Sequence, residues 1–155
     1  MPKYPNRPPR LRHVFQKYDP PLYFVTVCLR RRGNMLANTD VHQRLISFGE
    51  SLVNYGSSFG RYVIMPDHIH LFVRIGSNHK LGATVGFFKQ SLSVVLNRRG
   101  NDAPHWQQGF FDHLIRNEDS YSEKWDYVYL NPVRAGLVEI PSEWPYQGEV
   151  VPISY

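Results

Sequence analysis

His68 and His70 lie in the run HIHLFVRI, residues 68–75, and their types and spacing suit them to act together on one ligand. Successive side chains of a strand point to opposite faces. Ile69, Leu71, Val73 and Ile75 therefore share one face, and His68, His70, Phe72 and Arg74 share the other. The apolar face belongs against a core, which turns both imidazoles away from it. Two positions along a strand span roughly 7 Å, and rings that far apart can converge on one cation. A second pair lies in DYVYLNPVRAGL, residues 126–137, where Tyr127 and Asn131 are one helical turn apart and share a face. A phenol can serve as a nucleophile, and an amide oxygen one turn later as a hard metal ligand. Taken singly, each residue has an ordinary explanation: a solvated histidine pair, a packed aromatic, and an Asn capping a helix before Pro132.

These side chains need a sheet and a helix to hold them. Leu22–Arg30 is β-branched and aromatic and predicts a first strand, followed by a basic turn of Arg30, Arg31, Arg32, Gly33 and Asn34. Thr39 or Asp40 can cap a helix on which Val41, Leu45, Ile46, Phe48, Leu52 and Val53 follow helical spacing, with Gly56 at its C-terminus. Gly60–Met65 and His68–Ile75 form a hairpin around the Pro66–Asp67 turn. Leu81–Gly100 is a second helix with Val85, Phe88, Leu92 and Val95 on one face. His105–Ile115 reads as a short strand or two, broken by Gly109. A third helix starts at Glu118 or Asp119, runs to about Asn131, and stops or kinks at Pro132; Trp125, Val128 and Tyr129 are placed to anchor it. The order β-α-β-β-α-β-α is an α+β, ferredoxin-like split βαβ antiparallel sheet with an added C-terminal helix.

The composition narrows the function classes. A chain of 155 residues, 42% hydrophobic and 14% aromatic, suits one domain with a substantial core. Apolar runs of only a few residues and a mean hydropathy of −0.41 argue against a membrane span. The N-terminal stretch has no hydrophobic segment and is not read as a secretory signal. Cys28 stands alone, excluding an internal disulfide or a multi-cysteine metal site. The expectation is a cytoplasmic, nucleoid-associated protein. Residues 1–21 hold six of the twelve prolines and five basic residues, and read as an arm. Residues 22–140 form the domain and 141–155 a tail. With Lys plus Arg at 18 against Asp plus Glu at 13, the net charge is +5.

Three blocks in order carry a family resemblance: YVIMPDHIHLFV (62–73), WQQGFFDHLIRN (106–117) and SYSEKWDYVYLNPVRAGLV (120–138). The sequence resembles the IS200/IS605-like single-tyrosine (Y1) transposases of the HUH endonuclease superfamily. The last two blocks look most like the branch of REP-associated tyrosine transposases. By that resemblance His68 and His70 match two metal-binding histidines, Tyr127 the nucleophile, and Asn131 the polar residue that completes the metal site. Tyr129 is two residues on, a turn of about 200° around the helix, so it cannot face the site with Tyr127. Sharing a face with Asn131 favours Tyr127, and Tyr121 falls on a different face.

The chemistry implied is transesterification of single-stranded DNA, with Mg²⁺ or Mn²⁺ as the divalent cation and Zn²⁺ not excluded by ligand softness. Tyr127 attacks the scissile phosphate, giving a 5′-phosphotyrosine and a free 3′-hydroxyl. The resemblance also implies a preference for palindromic DNA folded into a hairpin. Arg30, Arg31, Arg32, Lys89, Gln90, Arg98 and Arg99 can contact a DNA backbone. Phe72 and Arg74 share the histidine face and can stack on or clamp an unpaired base, although Phe72 can equally pack beneath the third helix. The compact NPVRAGL block favours a monomer over a homodimer. Two other functions fit the same pattern: a domesticated DNA-hairpin-binding protein with little or no cleavage activity, and a metal-binding domain acting on RNA or another phosphodiester.

Overall fold

The structure, a computed structural model, describes residues 20–153, so the arm assigned to residues 1–21 lies almost wholly outside them. Strands β1 (Leu22–Cys28), β2 (Ser58–Ile64), β3 (His68–Arg74), β4 (Phe111–Ile115) and β5 (Gln147–Glu149) form one sheet in the order β4-β1-β3-β2-β5. Every pairing is antiparallel. Helix α1 (Thr39–Leu52) links β1 to β2, and α2 (Leu81–Arg98) links β3 to β4, the connectivity of a split βαβ fold. Helices α3 (Glu118–Tyr129) and α4 (Asn131–Arg134) follow β4. Among the described residues no helix is long and apolar enough to cross a membrane.

The two faces of the sheet are covered differently. On one, Val25, Val27, Ile69, Leu71 and Val73 meet Val41 and Leu45 of α1 and Val85, Phe88, Leu92 and Leu96 of α2. This is the core that the alternation along β3 and the helical spacing anticipate. On the other lies α3. Tyr121 packs with Leu22, Phe72 and Ile115, while Val128 packs with Val63, Met65 and Trp144. Beside α3 the same face keeps a cavity lined by Phe24, His70 and His113.

Several local expectations are corrected. Asn38, not Thr39 or Asp40, caps α1: its Oδ1 accepts from Val41 N–H at 2.9 Å. Asn117 does the same for α3, accepting from Ser120 N–H at 2.8 Å. A cap needs an extended backbone one position before the first turn, and the acidic residues then fall inside that turn, where the helix dipole favours them. Within residues 105–115 a single strand forms, and Trp106 contributes only an isolated bridge to Leu29. Strand β2 begins at Ser58 and its pairing shifts between Phe59 and Tyr62.

The segment assigned as a tail is built into the sheet. Trp144 is buried, its indole N–H donating to the Ile64 carbonyl at 2.9 Å, and β5 then pairs with β2. Gly148 permits that pairing, because a Cβ there would sit 2.8 Å from the Tyr62 hydroxyl oxygen. Helix α3 stops at Tyr129, and Pro132 sits in the first turn of α4, where its missing N–H costs no hydrogen bond.

Candidate active site

The register of the sheet decides which side chains meet. Cys28 is opposite His68, Thr26 opposite His70 and Phe24 opposite Phe72. Across the other edge of β1, Thr26 is opposite Phe111 and Phe24 opposite His113. Paired residues project to the same face. The α3 side of the sheet therefore presents the rows His70–Thr26–Phe111 and Phe72–Phe24–His113.

Each histidine is held at one ring nitrogen. His68 Nδ1 donates to the Asp67 carboxylate at 2.8 Å, and His70 Nδ1 bonds the Thr26 hydroxyl at 2.8 Å. His70 also stacks on Phe24, with centroids 5.5 Å apart and planes 17° from parallel. The two imidazole centroids are 4.7 Å apart at 80°, closer than their spacing along the strand. Burial, with smaller contributions from His68 and Arg134, pushes the His70 pKa down to about 3, so this ring stays neutral at physiological pH. Asp67 is fixed in turn, because Leu29 N–H donates to its carbonyl at 2.9 Å.

The break between α3 and α4 sets the other two residues. Asn131 opens α4, and its Nδ2 is 3.3 Å from His68 Nε2. Tyr127 is 63% exposed, and it lines a cavity of about 450 Å³ together with His70, Phe24, His113 and Lys124. Tyr129 is half-buried, stacks on Trp125 at 5.4 Å and does not line that cavity. Tyr121 is buried against Phe72, with ring centroids 4.5 Å apart. A single protomer thus joins Tyr127, His70, His68 and Asn131 through shared walls and short contacts.

The donor set suits a divalent cation. With Nδ1 of each ring bonded to an oxygen, both Nε2 atoms are the ones left to serve as ligand atoms, the usual arrangement behind metal-bound histidines. Turning the Asn131 amide by a half-rotation presents Oδ1, a hard donor, to the same point. Among the described residues no three His, Cys, Asp or Glu side chains gather into a metal-holding group.

The candidate DNA contacts divide by position. Arg30, Arg31 and Arg32 are exposed and leave β1 at the end where Cys28 faces His68. Phe72 is only 1% exposed beneath α3, so it has no surface for a base to stack on. Its position on the histidine face is as expected, but α3 covers that end of the row. Arg74 lies at the far end of β3 and donates to the Pro20 carbonyl at 2.6 Å. The Lys89 ammonium donates to the carbonyls of Gln107 and Gly109, tying down that loop. Gln90 and Arg98 belong to α2, which packs on the opposite face of the sheet from the histidines, and Arg99, its C-cap, pairs with Asp40 at 2.7 Å.

Sequence reasoning did not single out Thr26, Asp67, Phe24, Lys124 or Arg134. Asp67 had a signal, since it directly precedes His68. Thr26 and Phe24 had none, because only strand register brings them to His70.

Residues 20–128 match the family described as Transposase IS200 like, a span that includes His68, His70 and Tyr127. A REP-associated tyrosine transposase of Escherichia coli K12 is 26% identical over 125 residues, covering 80% of this chain and 73% of that one. A Haemophilus influenzae protein provisionally named in the same way is 26% identical over 136 residues, covering 81% of this chain and 77% of that one. The solved structure of a REP-associated tyrosine transposase bound to a REP hairpin superposes with a TM-score of 0.71. It shares 23% identity over 88% of this chain and 91% of that one, a likeness of fold. With the family match spanning well over half of its length, this chain belongs to the IS200-like transposases, enzymes of the single-tyrosine DNA-transesterifying type.

Proposed function

We propose that this protein is a metal-dependent endonuclease and strand transferase acting on single-stranded, hairpin-forming DNA through a 5′-phosphotyrosine on Tyr127. The observation that carries this reading is the convergence, within one chain, of Tyr127, the two imidazoles and Asn131 on one face of the sheet. The same convergence supports a monomer as the catalytic unit. Residues 22–140 supply the catalytic groups, and the segment after them closes the sheet.

His68, His70 and Asn131 would hold Mg²⁺ or Mn²⁺, which when bound polarises the scissile phosphate as a Lewis acid. The Tyr127 phenol oxygen attacks phosphorus in line. The P–O3′ bond breaks as the Oη–P bond forms, the phenolic proton passes to solvent, and the departing 3′ oxygen takes up a proton. The new phosphotyrosine is still a diester, so a later hydroxyl can attack it and rejoin a strand without ATP. Arg30, Arg31 and Arg32 take backbone phosphates at the His68 end, making affinity salt-dependent. The hairpin preference is supported by the structural relative bound to a REP hairpin. Such a substrate places the protein with the nucleoid in the cytoplasm.

The test is to incubate a labelled single-stranded hairpin, taken from palindromes flanking the gene, with Mn²⁺ and resolve it on a denaturing protein gel. The expected result is a shifted band that Tyr127→Phe lacks. A tight native-gel complex without that band would identify a hairpin-binding protein instead. Preferential cleavage of a matched RNA hairpin would overturn the DNA assignment.

A further inference from the structure

Arg134 ends α4, seven residues beyond Tyr127, and its guanidinium is turned back onto the tyrosine. One nitrogen donates to the Tyr127 carbonyl at 2.6 Å, and Cζ lies 3.8 Å from the centroid of the Tyr127 ring. Among the described residues no carboxylate pairs with it. Tyr127 itself is 63% exposed, and among the described residues no other ring packs on it. An exposed side chain without packing samples several rotamers, so the stacked guanidinium is the contact that orients the nucleophile.

A guanidinium lying flat on a ring keeps its donors around its own edge. Arg has five N–H donors in a rigid fork, and the Tyr127 carbonyl uses only part of them. The remaining donors lie over the Tyr127 ring. They are therefore beside the side chain that must meet the scissile phosphate.

We propose that Arg134 is a clamp that holds the Tyr127 ring in its attacking position and gives its remaining N–H donors to the non-bridging oxygens of the scissile phosphate. Negative charge on those oxygens is the charge that such a donor stabilises in phosphoryl transfer. The bonds made and broken are those of the strand-transfer step on which this inference rests; Arg134 gives up no proton. Lysine in its place retains charge but can neither lie flat on the ring nor offer a fork.

The test measures single-turnover adduct formation and hairpin affinity separately, for wild type, Arg134→Gln, Arg134→Lys and Arg134→Ala. Arg134→Gln is expected to melt at the wild-type temperature and bind the hairpin almost as well. Its adduct formation should be slower by roughly a hundredfold, the scale of losing one preorganised donor. Arg134→Lys should be slowed nearly as much, and added guanidinium ion should restore part of the Arg134→Ala rate, which it would not do for a residue that only caps α3. An Arg134→Gln protein that forms adduct at the wild-type rate would overturn the clamp. So would a loss confined to hairpin affinity, which would make Arg134 a backbone contact. Wild-type protein that forms no adduct overturns the strand-transfer reading and the clamp together, whereas adduct from wild type with an unimpaired variant removes the clamp alone.

Discussion

The two faces of this sheet are made from alternate residues of the same strands, yet they do opposite things. On the α1/α2 face, Ile69, Leu71 and Val73 meet two long amphipathic helices and are sealed. On the other face the neighbouring residues of the same strand diverge: Phe72 is sealed under α3, while His68 and His70 stay near the surface. The difference lies in what covers them. Helix α3 has 12 residues and ends before Pro132 redirects the chain. The cavity along its flank leaves His70 beside Phe24, His113 and Tyr127. Partly exposed imidazoles on ordered strands beside an exposed tyrosine suit the proposed reaction, in which the tyrosine becomes covalently attached to its substrate.

This contrast can be broken at Phe72. If it is sealed under α3, Phe72→Ala should cost about 3–5 kcal/mol of unfolding free energy, read from urea denaturation, as for other buried aromatics. A variant of normal stability that binds hairpin DNA weakly would return Phe72 to the role of a base-stacking residue and redraw the boundary. A smaller effect sharpens the histidine side. Removing the carboxylate that holds His68, in Asp67→Ala, should weaken Mn²⁺ binding by roughly 10–100-fold with little change in stability. Titration calorimetry of the protein with Mn²⁺ would measure it, and unchanged affinity would mean that the ring needs no such partner.

The smallest effect concerns the sealed face. Burial pushes the Tyr62 pKa up to about 12, above its ordinary value of 10.0, and its hydroxyl bonds His42 at 2.7 Å. Between those values the unfolded chain holds fewer protons than the folded one, so stability is fully present below pH 10 and falls as pH rises toward 12. The loss should be on the order of 2 kcal/mol. Tyr121, also raised by burial, contributes in the same direction. Urea midpoints measured across this range should fall less steeply for Tyr62→Phe; an identical slope would show that Tyr62 is hydrated in the folded state.

The residue types of 22–30, the alternation of HIHLFVRI and the helical spacing of α1 and α2 were enough to read the first three strands, the two covering helices and the direction in which both histidines point. The Tyr127–Asn131 spacing, with the family blocks around it, singles out Tyr127 among three tyrosines as the candidate nucleophile. These features are legible because they are local: side-chain direction follows from backbone period, and period is written in the order of residues. The register that sets Thr26 under His70, the cover that seals Phe72, the turn that brings Arg134 back over Tyr127, and the pairing of residues 147–149 with β2 are not local. Each depends on which distant segments pack together and where a helix stops. Burial and strand pairing are properties of the assembled chain, so only the tertiary structure could separate a buried phenylalanine from the two histidines that precede it on the same face.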